Sequence, residues 1–274
     1  MNYKMQTFFP IVFLLLSLGY LFYLMSTTGL LLDIDLKGGT QISFESASEL
    51  NEKNLENILK DYDANVRIAR GLTGYTALIE IDSSINSSIV ISSLKSSGYT
   101  ADFSVSSISP SLGSSFFQQA QLVLGFAFLF MAITVFIIFR VGLPSFYVVL
   151  ASFADIVETL AISQFLGIKL SLATFAALLL LIGYSVDTDI LLTSRVLRTA
   201  EGDIKSKIKG AMKTGLTMIG ATAAALLALF VISASSVITQ IASVLLIGLV
   251  LDVFNTWVTN ANLLRWYVER RKND

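Results

Sequence analysis

Five carboxylates lie in or beside apolar runs that leave little water to hydrate them: Asp155, Glu158, Asp187, Asp189 and Asp252. On the insertion scale a mid-membrane Asp costs roughly 2.5–3.5 kcal/mol, and four together on the order of 10–14 kcal/mol. Ionisable groups at that depth mark an ion pathway or a mutually paired site. Around Asp155, the residues Ser152, Thr159 and Ser163 recur at spacings of three and four, which makes one polar stripe on a helix. Glu158 lies one turn from Asp155. Asp187 and Asp189 are two residues apart and cannot share a helix face, so one is expected to look toward Asp155 and the other toward a different helix or subunit. Arg195 lies two turns beyond Asp187, offset by roughly 80° at 100° per residue. It either snorkels to the membrane interface or reaches back as a counter-charge. A carboxylate whose hold on a proton changes as its neighbours move is what proton coupling requires, and a proton crossing the membrane is worth about 2.3 kcal/mol per 100 mV. A static hydrogen-bonded cluster that ties helices together is the competing account.

Composition narrows the chemistry further. The 274 residues are 54% hydrophobic and 14% charged, well short of the roughly 25% charge of soluble domains, and the mean hydropathy is +0.72. That points to a polytopic membrane protein. With no Cys there is no disulfide frame, thiol nucleophile or Cys-held metal, and with no His there is no His triad, haem ligation or usual zinc site. A net charge of −1 gives no bulk electrostatic case for nucleic acid. Neither an enzymatic activity nor a metal or organic cofactor is expected.

Six apolar stretches are long enough to span: Phe8–Met25, Phe116–Phe139, Leu143–Leu166, Leu170–Leu192, Gly215–Ser233 and Val237–Trp257. The first follows Lys4 but lacks an A-x-A-like cleavage site, so it reads as an uncleaved anchor. With the N-terminus inside, 12 Lys and Arg fall on the cytoplasmic side and 7 outside, six of the seven within one long segment that counts little. Both termini are therefore expected in the cytoplasm. Residues 1–29 form the first anchor, 30–113 an extracytoplasmic domain, and 114–274 a five-helix membrane domain with a cytoplasmic loop over 195–214.

The 30–113 segment holds 11 of the 20 acidic residues, and its pattern switches between periods of two and 3.6. Strands are expected at Gln41–Glu45, Asn65–Ala69, Thr76–Asp82 and Tyr99–Val105. Helices are expected from Ser48 to about Tyr62 and over Ile85–Ser96, and the second and third strands are joined through Gly71–Gly74. The order βαββαβ is the ferredoxin-like arrangement, with one sheet face open; Ser43 and Tyr75 are expected on that face. Val196–Thr214 reads as an amphipathic connector on the lipid surface. Gly220, Ala221, Ala224 and Ala225 read as a packing face for close helix approach. Gly183-Tyr184-Ser185-Val186-Asp187 lacks the Tyr-Asp and Gly-x-Gly-Asp spacings of intramembrane aspartyl proteases.

Asp33-Ile34-Asp35-Leu36-Lys37-Gly38-Gly39-Thr40, just beyond the first span, resembles a motif of the SecD and SecF protein-export membrane subunits, relatives of the RND transporters. Within it Asp35, Lys37, Gly38 and Gly39 carry the likeness. It continues at Ala154-Asp155 and at Ile182-Gly183-Tyr184-Ser185-Val186-Asp187-Thr188-Asp189, followed by Arg195. The element order matches over essentially the whole chain. Length and Lys37 favour the SecF side, and the Asp-Thr-Asp run favours its archaeal branch. The resemblance implies a SecD-like membrane partner, a neighbouring Sec channel, an exported unfolded polypeptide as client, a lipid-embedded plasma-membrane location and a link to the proton-motive force. It matches Asp155 to the family's third-span Asp and Arg195 to its fourth-span Arg. Bacterial members typically read Asn-Asp-Thr where this chain has Asp187-Thr188-Asp189, so the acidic position is displaced and doubled. Two further readings fit the residues: a scaffold that stabilises a translocase without transducing energy, and half of an RND-type small-solute transporter.

Overall fold

The computed structural model describes residues 3–71, 74–199, 202–233 and 235–273. Six of its helices are long and apolar enough to cross a membrane. The first, α1 (Tyr3–Ser26), leads through a short helix α2 (Ile34–Lys37) into β1 (Gly39–Ser46), α3 (Glu52–Ile58), β2 (Asn65–Gly71), β3 (Gly74–Ile81), α4 (Ser87–Ser96) and β4 (Phe103–Ile108). The bundle follows as α5 (Pro110–Phe139), α6 (Gly142–Phe165), α7 (Leu172–Arg198), α8 (Ile204–Ile232) and α9 (Ser236–Phe254). A π turn over Asn255–Asn260 joins α9 to α10 (Ala261–Asn273), so the last span continues well past Trp257.

The four strands form one antiparallel sheet in the order β2-β3-β1-β4, the ferredoxin-like topology. Alternation along β1 and β3 buries Ile42, Phe44, Ala77, Ile79 and Ile81 under α3 and α4, together with Leu55, Val90 and Leu94. Their neighbours Gln41, Ser43, Leu78 and Glu80 take the opposite face, as the pairs Gln41–Glu80 and Ser43–Leu78 require. Tyr75 pairs with Ser46 and packs against the helix-covered core, so it shares a face with Ala77 and not with Ser43. A period of two leaves no other outcome for an odd-numbered residue on that strand.

Local chemistry explains most element ends. Asn51, Asn86 and Ser109 cap α3, α4 and α5, and Pro110 opens α5 at the position where a missing N–H costs nothing. Ser171 and Thr174 make a reciprocal capping box at the start of α7. Four boundaries depart from the sequence expectation. The first outer helix stops at Ile58, because a 3-10 turn and left-handed Asp63 follow it. β4 starts at Phe103, where pairing with Phe44 begins, four residues after Tyr99. α2 is one turn capped by Asp33, too short for a periodic signal. Val196–Thr214 is not a separate surface helix: α7 runs to Arg198 and α8 begins at Ile204, so most of the stretch belongs to the two spanning helices, with the break set by Gly202 at φ +93° and extended Asp203. Residues 72–73 of the Gly71–Gly74 turn, and 200–201 of this connector, lie outside the described residues.

Close helix approach also uses different glycines from those expected. Gly220, Ala221, Ala224 and Ala225 are exposed along α8. Instead, a Cβ on Gly215 would meet the Trp257 ring at 2.3 Å, and one on Gly248 would meet Leu181 at 2.4 Å. The α2–α5 crossing sets backbone against backbone: a Cβ on Gly113 would lie 2.6 Å from the Gly38 nitrogen, and one on Gly38 2.5 Å from the Pro110 Cα. Both neighbours are backbone and cannot rotate away. Gly113→Ala is therefore expected to destabilise the junction by about 1–3 kcal/mol, the usual cost of overpacking. Thermal unfolding in detergent checks it, with Gly125→Ala, whose Cβ would meet nothing within 4 Å, as the neutral comparison.

Candidate functional site

Four of the five carboxylates come together where α6, α7 and the end of α9 meet: Asp155, Glu158, Asp189 and Asp252, each at most 1% exposed. α6 presents its expected stripe inward, with Ser152, Asp155, Thr159 and Ser163 all buried. Ser185 of α7 donates to Asp155 Oδ2 at 2.5 Å, and Ser152 lies 3.2 Å from the same hydroxyl. Asn255 donates from one amide to Asp155 Oδ1 and to Glu158 Oε2, both at 2.8 Å. Thr188 donates to Asp252, 3.1 Å from Oδ2. Thr256 Oγ1 sits 3.0 Å from both Asp189 Oδ1 and Asp252 Oδ1, although a hydroxyl has one proton to give. Asn260 donates to Asp189 Oδ1 at 2.7 Å.

Three of these partners, Asn255, Thr256 and Asn260, sit in the π turn. Its i→i+5 register brings Asn255 and Asn260 toward one face, where an α-helix would hold them about 140° apart at 100° per residue. Ala261 N–H accordingly donates to Thr256 O, five residues back. Among the described residues no Lys or Arg pairs with any of the four acids. Their charge is met only by hydroxyl and amide donors, so bound protons or a cation must complete the neutralisation.

Two of the sequence candidates lie elsewhere. Asp187 and Arg195 are exposed on the opposite side of α7, the side that carries Gly183 and Tyr184. Neither Asp187 nor Asp189 bonds to Asp155; Ser185 takes that place, and Asp189 sits one turn further along the buried face. Arg195 is therefore not the counter-charge of Asp155 within this chain. Ten residues from Ser185 place it about 15 Å further along α7 and about 80° round the helix, and its guanidinium lies beside Gly210 of α8. Asp252 stood in the sequence without a role, and Asn255, Thr256 and Asn260 were missed. The signal was available in Asn-Thr-Trp-Val-Thr-Asn, four polar residues among six inside an apolar span.

The Asp-x-Lys-Gly-Gly motif forms a second constellation, at the sheet side of the bundle. Asp33 caps α2, while its N–H donates to Leu170 O at 2.8 Å, and Leu36 packs with Leu170 and Phe175. Asp35 accepts from the Leu172 N–H at the start of α7, a favourable place for a negative charge. Burial raises both carboxyls above their ordinary value; Glu80 raises Asp33 further, and the Leu172 N–H partly offsets the rise at Asp35. Lys37 reaches Glu80 at 3.3 Å, and Glu80 also holds Lys169, from the loop between α6 and α7, at 2.5 Å. Lys169 bonds Asn65 as well, and Arg67 donates to Gly167 O. Gly38 and Gly39 adopt φ of +82° and +137°, and Gly38 is where the α2–α5 backbones touch. Beside this clamp the open sheet face covers a cavity of about 610 Å³, lined by Asp35, Gln41, Arg67, Leu78, Val237 and Gln240 among others.

Comparison with known proteins places this geometry in a family. The family model for "Protein export membrane protein SecD/SecF, C-terminal" matches residues 84–270. The chain is 39% identical to the "Protein-export membrane protein SecF" of Methanothermobacter thermautotrophicus, covering 89% of this chain and 86% of that one. It is 36% identical to the Methanocaldococcus jannaschii protein of the same description, over 97% of this chain and 96% of that one. The fold is similar to the crystal structure of Thermus thermophilus SecDF, described as a translocon-associated membrane protein, with a TM-score of 0.78 at 18% identity. That match covers 98% of this chain and 39% of the SecDF chain. Against SecDF in its super-membrane-facing form the TM-score is 0.56 at 19% identity. With a matching family model over most of its length and archaeal SecF relatives along nearly all of it, the chain belongs to the SecD/SecF family of protein-export membrane proteins.

Proposed function

We propose that this chain is the SecF half of a SecD–SecF accessory complex that assists export of unfolded polypeptides through the Sec channel, and that its buried acids link that work to the proton gradient. The sheet domain faces outward and both termini lie in the cytoplasm, as the 12-to-7 distribution of Lys and Arg favours. Asp187 supports a membrane partner: an Asp exposed on a spanning helix costs roughly 2.5–3.5 kcal/mol unless another protein covers it. The open sheet face and its cavity stand where a partner's outer domain or an emerging chain would lie.

The observation that carries the coupling is Asp155, 0% exposed and held between Ser185 and Asn255 from two other helices. Gain or loss of its proton changes what those two donors can satisfy, so protonation bears directly on how α6, α7 and the π turn fit together. Asp155→Asn preserves size and one acceptor oxygen but removes the charge. The variant is expected to assemble with its partner while export loses its response to a proton gradient, measured in membrane vesicles with the gradient imposed and dissipated. The scaffold reading draws on the same cluster, since the network joins three helices. It predicts near-normal, gradient-responsive export from Asp155→Asn, and that result would replace coupling with scaffolding.

A further inference from the structure

We propose that the lysine face at the start of α8, joined by Arg195 from α7, binds the phosphate of an anionic membrane lipid. The proposal rests on α8 spanning the membrane and not on coupling at Asp155. α8 (Ile204–Ile232) is about 43 Å long at 1.5 Å per residue, against a hydrocarbon layer of about 30 Å. Its large exposed apolar residues begin at Leu216 and continue to Ile232, so the turns before Leu216 lie in and beyond the headgroup layer. Within those turns Lys205, Lys209 and Lys213 recur every fourth residue, and all three are exposed. Ile204, Ala211 and Gly215 are buried on another side of the same helix. One face is therefore basic while the other packs on the bundle.

Arg195 completes the site. Its side chain reaches from α7 to α8, where a Cβ added at Gly210 would meet Nη1 at 3.3 Å. Lys213 stands three residues beyond Gly210 on the adjoining surface of α8, and helical side chains lean back over the preceding turn, toward that guanidinium. Lys207, three residues before Gly210, donates to Thr199 O across the connector. Among the described residues no carboxylate pairs with Arg195, Lys205, Lys209 or Lys213. The first turn of α8 holds no acid, and the positive end of the helix adds to the field. Cations gathered in this way draw an anion, and the planar fork of Arg matches a phosphate. Depth selects the occupant. Lys213 lies about 5 Å below Leu216 along the helix, and Leu216 and Met218 are 40% and 45% exposed. An anion held at Lys213 thus has hydrocarbon directly above it. A lipid supplies both parts, a phosphate for Arg195 and Lys213 and an acyl chain for Leu216 and Met218. Free phosphate leaves the apolar residues without a partner, and a nucleic acid is too polar for that layer. Lys209, a turn lower, reaches the same headgroup by snorkelling. The bound lipid joins the end of α7 to the start of α8.

The test titrates the full-length chain in neutral detergent with phosphatidylglycerol, phosphatidylcholine or glycerol phosphate. Native mass spectrometry counts the bound molecules, and thermal unfolding reports the response. Saturable binding of phosphatidylglycerol that raises the unfolding temperature is expected, with neither of the other two giving it. Arg195→Gln and Lys213→Gln should each weaken binding roughly tenfold, the size of one charge-assisted hydrogen bond. Arg140→Gln removes the same charge from the exposed end of α5 and should leave binding unchanged, which separates a site from a general positive field. Gly210→Leu keeps every charge but drives a side chain into the guanidinium, and should weaken binding as Arg195→Gln does. Equal binding of phosphatidylcholine, equal loss in Arg140→Gln, or no loss in Gly210→Leu would overturn the site. Glycerol phosphate binding as tightly as the lipid would assign free phosphate, and an RNA hairpin displacing the lipid from the same residues would assign nucleic acid; either result overturns the proposal. Asp155→Asn is expected to bind the lipid as wild type does. If that variant keeps its gradient response in export while lipid binding persists, coupling fails and the lipid site stands. If the gradient response is lost and wild type binds no lipid, the lipid site alone fails.

Discussion

Asn255→Leu is expected to cost the protein about 3–6 kcal/mol of stability and most of its export activity. One amide serves two acids on α6, at 2.8 Å each, and hydrogen bonds to charged groups contribute roughly 1.5–3 kcal/mol apiece. Leucine matches the volume but gives neither bond. Glu158 suffers most, because its Oε1 already lacks a partner and Oε2 would then lose its donor too. Asn255→Gln keeps the NH₂ on a longer arm and should fall between leucine and wild type. Asn255→Asp replaces a donor with an acceptor beside two carboxylates and should be the most damaging of the three. Denaturation in detergent gives the stability order, and export in vesicles gives the activity. If Asn255→Leu unfolds like wild type, the π turn does not hold the acids as described.

The contrast between Asp155 and Asn255 shows how far the sequence could be read. An acid in an apolar run announces itself, because its cost is large and composition alone exposes it. The polar stripe of α6 was visible for the same reason, through spacings of three and four that hold on any α-helix. Counting on from Asp155 to its partners required the phase of α7 and α9, which a helix wheel does not supply. Two residues in the wrong direction turned Asp187 outward and put Ser185 at Asp155. The π turn lies still further from view, since it changes the period from which such phases are counted. In the sheet domain, alternation and turn residues gave the strand order, whereas α2 has a single turn and no period to detect. The Asp-x-Lys-Gly-Gly motif was recognisable as a pattern. Its physical content, one bonded junction between the sheet, α5 and the head of α7, depends on contacts more than a hundred residues apart, such as Asp33 with Leu170.

That junction carries the other large effect. Glu80→Gln is expected to destabilise the contact between the sheet domain and the bundle by about 3–5 kcal/mol, the usual result of removing one partner from a buried pair. Lys169 and Glu80 are 8% and 6% exposed, so neither charge has water to fall back on. Lys37, 46% exposed, is hydrated on its own and should contribute little. Burial holds the Lys169 ammonium below its usual value, and the Glu80 contact partly restores it. A lowered ammonium fixes the sign of the pH effect. The penalty is absent above the unfolded-state value near 10.5, grows as pH falls from there toward the lower folded-state value, and is fully present below it. Without Glu80 the restoring contact is gone, so Glu80→Gln should recover stability with rising pH more steeply than wild type does. Lys169→Met alone spares Glu80, which keeps Lys37, and should be milder. The pair Glu80→Met with Lys169→Met leaves no buried charge and should be more stable than Glu80→Gln. Unfolding midpoints for the four proteins between pH 7 and about pH 10, a range bracketed by ordinary lysine behaviour, test this directly. A double variant no better than Glu80→Gln would show that packing, and not the ion pair, joins the sheet to α6 and α7. With the ion pair in that role, the loop between the two helices that carry Asp155 and Asp189 is fixed to the sheet through Glu80. Under the proposed coupling, movement of those helices is expected to reach the face that covers the cavity through this contact.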